Sequence, residues 1–302
     1  MTDQTFDPKN FKKPTTLNPE ETKPADAGDT FNPAAIKGRM KAAAEAEEQR
    51  TTDLLTAPLG PVPTWSFSRL MQFESCPYSI YLKNVEKMPD PSGPAAERGT
   101  MIHEHIENFI QGEHDDLKGL RLPAGMKSVN LAPFEKIIGG LRSAYEEGRV
   151  GVEGNWGFTR DWTTTDFFGK DVWTRMKLDA IEFDSDTSAR VHDWKSGRKF
   201  NNELKHNQQG MTYAIGAFMR YPELEFIETW FEYVDQNDRM SNTYTRERAM
   251  LLKPMIDRRA NEMTTATKFP PKPSMHACKF CPHARVQEGF DEPACPYAYQ
   301  ET

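Results

Sequence analysis

The sequence predicts an α/β domain in which a central mixed sheet is flanked by helices. Three observations carry that prediction. Between residues 156 and 195 the runs "WGFTRDW", "DVWTRMKLDAIEFD" and "ARVHDWKS" alternate and are rich in aromatic and β-branched residues, with "DSDTS" as a turn. Helical spacing then returns in "ELKHNQQGMTYAIGAFMRY" (203–221), and "LEFIETWFEYVD" (224–235) reads as another strand. Helical patterns precede and follow this block, an order that fits one mixed sheet better than a doubly wound series.

Along the chain, residues 1–60 are rich in Pro, Thr, Lys, Asp and Glu, with Phe6, Phe11 and Phe31 as their only aromatics, so a disordered arm is expected there. Within it, "AAIKGRMKAAAEAEEQR" (34–50) is dense in helix formers, which fits a solvated helix, or alternatively a docking helix for a partner. "APLGPVPTW" (57–65) is a proline-rich linker, and the folded domain is assigned to 61–302. Ser66 or Ser68 can cap a helix carrying Leu70, Phe73 and Tyr78, interrupted at Cys76-Pro77. A second helix from about Ala95 puts Ile102, Ile106, Phe109 and Ile110 on one face, with His103 and Glu107 beside it. Further helices are expected near 131–148 and over 245–269, the latter containing Pro254. The closing segment, including 276–299, has no periodicity and holds three of the four cysteines.

Composition narrows the function. A chain of 302 residues with 37% hydrophobic content can bury a core, and it has neither an apolar run long enough to span a bilayer nor a secretory leader pattern. A cytoplasmic location without membrane association is therefore expected. Four cysteines are too few for a disulfide scaffold of this size and suit metal binding or free thiols. The net charge is −7, and outside residues 1–60 there remain 35 acids against 30 bases. A protein that coats nucleic acid nonspecifically is disfavoured, and any basic groove has to be local.

The segment "HDWKSG" (192–197) places Asp193 and Lys195 on one face of a strand and Trp194 on the other. Alone, this is an ordinary surface ion pair. If "MKLDAIEF" and "VHDWKS" are neighbouring strands, however, Asp179 and Asp193 lie near the same end of the pair and can face one cation. Mg²⁺ or Mn²⁺ takes oxygen ligands and keeps several waters, so two carboxylates, a carbonyl and a substrate phosphate suffice. Lys195 would then orient a water and balance charge on the phosphate, which outlines phosphodiester hydrolysis.

These residues resemble the PD-(D/E)xK nuclease superfamily and, within it, the RecB-like branch. Asp179 matches the first acid and "DWK" (193–195) the (D/E)xK element. "GTMIH" (99–103) is similar to the helix that supplies a metal-binding histidine, His103, and "QGMTY" (209–213) to the QxxxY element, Gln209 and Tyr213. "SFSRLMQFESCPYSIYL" (66–82) and the cysteine-rich ending are similar to the members that carry a four-cysteine iron–sulfur cluster, as AddB-type and CRISPR-associated nucleases do. Free-standing nucleases of this size resemble those encoded by phages or beside CRISPR systems. The resemblance implies a restriction-endonuclease-like core whose termini are tied by a metal cluster. It also implies Mg²⁺ or Mn²⁺ on His103, Asp179, Asp193 and the Trp194 carbonyl, with Lys195, Gln209 and Tyr213 acting beside them. Cys76, Cys278, Cys281 and Cys295 would hold a [4Fe–4S] cluster; Zn²⁺ is the chemical alternative, with His276 and His283 near enough in sequence to substitute for a thiolate. Thirteen residues separate Cys281 from Cys295, a wider gap than the family pattern. The substrate implied is DNA, as single strands or duplex ends, processed in recombination or repair, most naturally by an exonuclease working with a recombinase, helicase or single-strand-binding protein. A rival class is an inactive nucleic-acid-binding or assembly subunit on the same fold.

Overall fold

The computed structural model describes residues 38, 39, 41, 42, 45, 46, 49, 52, 53 and 55–299, and the chain divides into two units, 1–49 and 50–302. In the first unit the described residues from 38 to 49 are helical, with Lys41 and Glu45 paired one turn apart at 3.7 Å. The disordered arm expected before them lies outside the described residues.

In the second unit, α1 (Phe67–Ser75) starts where the Ser66 hydroxyl accepts the Arg69 N–H. It stops at Cys76, whose backbone is extended, and Pro77 opens α2 (Pro77–Asn84) in the first turn, where its missing N–H costs nothing. α3 (Pro94–Ile110) begins on a proline in the same way and buries Ile102, Ile106 and Ile110 at four-residue spacing. After α4 (Glu135–Glu146) come β1 (Val150–Phe158), β2 (Thr164–Thr165), β3 (Thr174–Ser185) and β4 (Ser188–Lys195). Then follow α5 (Glu203–Arg220), β5 (Phe226–Tyr233), β6 (Asp238–Thr245), α6 (Arg246–Thr264) and the short α7 (Met275–Lys279). Among the described residues no helix is long and apolar enough to cross a membrane.

The six strands form one mixed sheet in the order β2-β1-β3-β4-β5-β6. Every neighbouring pair is antiparallel except β4 and β5, which are parallel because α5 carries the chain back across the sheet between them. Two elements depart from the sequence pattern. β1 begins at Val150 rather than Trp156, since Gly151, Gly154 and Gly157 dilute its strand signal. β6 escapes it because "DRMSNTYT" buries only Tyr244 at the sheet edge and shows no apolar alternation.

Helices cover both faces of the sheet. On one side Met211, Tyr213, Ile215 and Phe218 of α5 pack with Leu70, Ile256 and Met263 against Leu178, Val191, Ile227 and Phe231. On the other, Ile102, Ile106 and Ile138 cover Ala180, Trp194 and Val150. α5 lies close on the strands: a Cβ at Gly210 would sit 2.7 Å from Thr229 Oγ1, and one at Gly216 would strike Met176. Helix α3 is fixed by a buried ion pair in which Arg98 Nη2 and Nη1 meet the Asp235 carboxylate at 2.7 and 3.0 Å, while Arg98 Nε donates to the Lys127 carbonyl at 2.6 Å.

Candidate active site

The period of β4 sets Asp193 and Lys195 side by side, with Lys195 Nζ 2.5 Å from Asp193 Oδ2. Two side chains from α5, one turn apart, reach down onto this pair. Lys195 Nζ donates to Gln209 Oε1 at 3.1 Å, Gln209 Nε2 donates to the Tyr213 hydroxyl at 2.7 Å, and Tyr213 donates to Asp193 Oδ1 at 3.0 Å. The four residues therefore close a ring of polar contacts. The close approach of α5 at Gly210 is what lets Gln209, its sequence neighbour, reach the strand.

Asp179 stands on β3, next to Ala180, which pairs with His192 on β4. Its Oδ1 meets His103 Nδ1 at 2.9 Å and its Oδ2 accepts the Trp194 main-chain N–H at 2.7 Å. The β1–β3 ladder breaks at the same level: it holds at Val152–Ala180 and Gly154–Leu178, while Glu153 between them adopts a left-handed φ of 46°. Glu153 pairs instead with Lys177 at 2.6 Å. His103, Glu107, Glu153, Asp179 and Trp194 thus line one small cavity.

Electrostatics follow from burial and crowded charge. Burial pushes the Asp193 carboxyl up and the Asp179 charge adds to that push, while Lys195 opposes it. Burial, with the charges of Asp193 and Asp179, raises the Tyr213 hydroxyl well above its ordinary value, so it stays protonated and donates. At His103 burial acts downward, but the hydrogen bond and charge of Asp179 and the charge of Asp193 outweigh it, and the net shift is upward. His192 is buried with its Nε2 3.7 Å from Glu182 and takes no part in the ring.

Whether these groups suit a divalent ion turns on the donor set. Among the described residues no three His, Cys, Asp or Glu side chains stand close enough to hold an ion by themselves. Mg²⁺ and Mn²⁺ need fewer, because one or two carboxylates with waters and substrate phosphate complete their shells. Asp193 Oδ2 is buried and its one partner is the Lys195 ammonium; a carboxylate oxygen has a second lone pair, which leaves room for a cation, and Asp179 is beside it. The residues fit such an ion. Trp194 was expected to contribute its carbonyl; the contact it makes here is through its N–H, onto Asp179.

The four cysteines, from distant parts of the chain, border one cavity, and as placed no three of them stand close enough to hold an ion by themselves. Cys76 between α1 and α2, and Cys278, Cys281 and Cys295 from the closing segment, line one small cavity that neither His276 nor His283 lines. No disulfide joins them. Cys76 Sγ accepts the Lys272 N–H at 3.4 Å and Cys278 Sγ the Tyr299 N–H at 3.3 Å, while the Ala284 N–H closes a turn on the Cys281 carbonyl at 3.2 Å. Burial and the neighbouring thiols push Cys281 and Cys295 upward.

Sequence reasoning passed over Arg98, which anchors the helix bearing His103, and over Glu153 and Lys177. A lone arginine before "GTMIH" carries no local signal, because its partner Asp235 is 137 positions away.

The family model of the PD-(D/E)XK nuclease superfamily matches residues 64–286. Among solved structures, one described as SSO0001 is similar at 12% identity, covering 80% of this chain and 93% of that one, with a TM-score of 0.40. The structure of LHK-Exo in complex with dAMP is similar at 10% identity, covering 68% of this chain and 89% of that one, with a TM-score of 0.32. That of the alkaline exonuclease LHK-Exo from Laribacter hongkongensis is similar at 13% identity with the same coverage and a TM-score of 0.29. Comparison with curated proteins gives no match. The family match spans the two acids, the lysine and the α5 pair, and the chain belongs to the PD-(D/E)XK nuclease superfamily.

Proposed function

We propose that the protein is a Mg²⁺- or Mn²⁺-dependent deoxyribonuclease that hydrolyses phosphodiester bonds. The observation that carries this is the ring formed by Asp193, Lys195, Gln209 and Tyr213, with Asp179 and His103 alongside. Asp179 and Asp193 would hold the ion, with His103 at the edge of the shell. When bound, such an ion polarises the phosphate and makes a bound water more acidic. The protein's own groups do the rest. Lys195, held between Asp193 and Gln209, is placed to position the attacking water and to offset charge building on the phosphate. Tyr213 keeps Asp193 oriented, and Gln209 keeps the ammonium from swinging into solvent.

The cysteine cavity is the proposed seat of a structural [4Fe–4S] cluster. All four cysteines line it and two of the sulfurs accept main-chain N–H groups; a bound metal would supply the positive charge that turns the raised Cys281 and Cys295 thiols into thiolate ligands. The exonuclease mode, the RecB-like branch and a role in recombination or repair with a helicase, recombinase or single-strand-binding partner are proposed from the ordered motifs rather than from the geometry.

The test is digestion of end-labelled linear and circular DNA, single- and double-stranded, with Mg²⁺ or Mn²⁺ and with chelator. Metal-dependent loss of linear DNA alone is expected for an exonuclease. Asp193→Asn and Lys195→Ala should each lower the rate by about 100-fold or more, since several kcal/mol of transition-state stabilisation go with them. Full activity in both variants would discard the assignment of these residues, whereas no cleavage by the wild-type protein with either metal would leave an inactive nucleic-acid-binding subunit as the better account.

A further inference from the structure

Beside the ring of polar contacts lies a cavity of about 340 Å³, large enough for a small ligand, whose inner wall is Gln209 and Tyr213. Its outer wall carries three cations, Arg69, Arg175 and Lys177, and the Ser66 and Ser68 hydroxyls. Lys177 is paired with Glu153 at 2.6 Å, but the two guanidiniums have no carboxylate among the described residues. Arg69 donates only to the carbonyl and hydroxyl of Thr64, at 2.8 and 2.7 Å. The Arg175 side chain makes no hydrogen bond among the described residues, and its Nε is buried without a partner. Burial and the charge of Arg175 lower the Arg69 pKa, which records two like charges held together in a partly desolvated place. Like charges so placed, next to groups that handle a phosphodiester, await an anion.

A second observation says what the anion is attached to. Arg175 lies 5.6 and 5.5 Å from the ring centroids of Phe167 and Phe168, two residues of the β2–β3 loop. Phe167 lines the cavity, and Phe168 packs edge-on against Phe167, ring centroids 5.0 Å apart, with 82% of its surface exposed. The loop holding it is braced, with Thr165 Oγ1 donating to Asp171 at 2.7 Å and the Gly169 N–H to the Asp166 carbonyl at 2.8 Å. A braced, exposed aromatic beside unpaired guanidiniums combines a stacking surface for a base with a site for its phosphate.

We propose that this cavity receives an unpaired stretch of the DNA strand, with Arg69 and Arg175 on a phosphate and Phe168 stacked on a base. The proposal rests on the nuclease reading above and adds that the strand entering the site is single. Stacking needs a base whose face is free, which a duplex does not offer without unpairing.

The test is fluorescence-anisotropy binding of labelled oligonucleotides to the full chain in chelator, where cleavage does not contribute. Phe168→Ala and Arg175→Ala should each weaken single-strand binding by about fivefold or more, the low end for one stacked base, and Phe168→Trp should retain it. Blunt duplex binding should change by less than about twofold in Phe168→Ala. An Arg175→Ala loss seen only with a 5′- or 3′-phosphorylated oligonucleotide places a terminal phosphate in the cavity; an equal loss without it places an internal one there, and either supports the proposal. Single-strand binding within about twofold of wild type in both alanine variants, or an equal loss for duplex, overturns it. Unchanged melting temperatures show the variants fold. Binding that behaves as expected in a protein that cleaves nothing would sink the nuclease reading alone; cleavage by a protein whose variants bind normally would sink the subsite alone.

Discussion

The main-chain N–H of Trp194 donates to Asp179 Oδ2 at 2.7 Å, so the acid on β3 is bonded to the backbone of the strand that carries Asp193 and Lys195. The two acids therefore keep their spacing through the backbone and do not depend on a bound ion to be brought together. Both Asp179 oxygens are engaged, one by Trp194 and one by His103, whereas Asp193 Oδ2 faces only the lysine ammonium. Asp193 is the acid with capacity to spare.

Tyr213→Phe should show how far that capacity depends on orientation. The substitution keeps the ring and removes the hydroxyl that donates to Asp193 Oδ1, a hydrogen bond to a charged group worth about 1.5–3 kcal/mol. Cleavage should fall by roughly 10- to 100-fold and need more Mg²⁺ for half-maximal rate. Mg²⁺ titrations of wild type and variant check this, and superimposable curves would remove Tyr213 from the site.

Arg98→Ala should destabilise the fold by about 2–3 kcal/mol, because Asp235, half-buried, loses its bidentate partner and keeps only Lys127 at 3.7 Å. Urea unfolding measures the loss. Adding Asp235→Ala should restore part of it, since the stranded charge goes too, and a double variant no more stable than the single would argue against the pair. Activity should fall with stability in the single variant, because α3 also carries His103.

His206 supplies the pH prediction. It is buried on α5, its Nδ1 2.6 Å from the Tyr233 hydroxyl, and burial, with the charges of Lys195 and Lys205, lowers its pKa to about 4. In the unfolded chain it takes a proton near the ordinary histidine pKa of about 6.5, so between there and its folded value the unfolded state binds more protons. Stability is full above that window and is lost as pH falls through it, by up to about 3 kcal/mol. Melting temperatures at neutral pH and near the lower end of the window test this. His206→Gln should flatten the dependence, and an unchanged slope in that variant would assign the acid lability elsewhere.

Metal analysis of purified protein addresses the cysteines. Iron and inorganic sulfide with brown colour are expected, and replacing Cys76 or Cys295 by Ser should lower both and the melting temperature together. Stoichiometric zinc in a colourless protein would give the cavity to zinc instead.

Much of the fold was legible because its signals are local. Cys76-Pro77 marked the break between two helices, and "DSDTS" the turn between β3 and β4. The placing of His103, Asp179, Asp193, Lys195, Gln209 and Tyr213 in one neighbourhood was legible only through their order, since no single strand or helix brings them together. What could not be read depends on partners distant in sequence or on weak patterns. Arg98 needs Asp235, Arg69 and Arg175 are defined by having no carboxylate partner among the described residues, and β6 buries too little to alternate.

The contact from Lys272 to Cys76 spans 196 positions, and the cavity it borders also needs Cys295. Closing so long a loop is entropically dear, whereas the β3–β4 hairpin zips from a short turn. In an emerging chain the acid-bearing strands are complete before the last sulfur leaves the ribosome. The cysteine contacts are therefore expected to form late, so that Cys76→Ser should speed unfolding and leave the folding rate nearly unchanged in stopped-flow measurements. On that expectation the cysteine cavity would act as a clasp, setting how long the folded sheet persists rather than whether it forms.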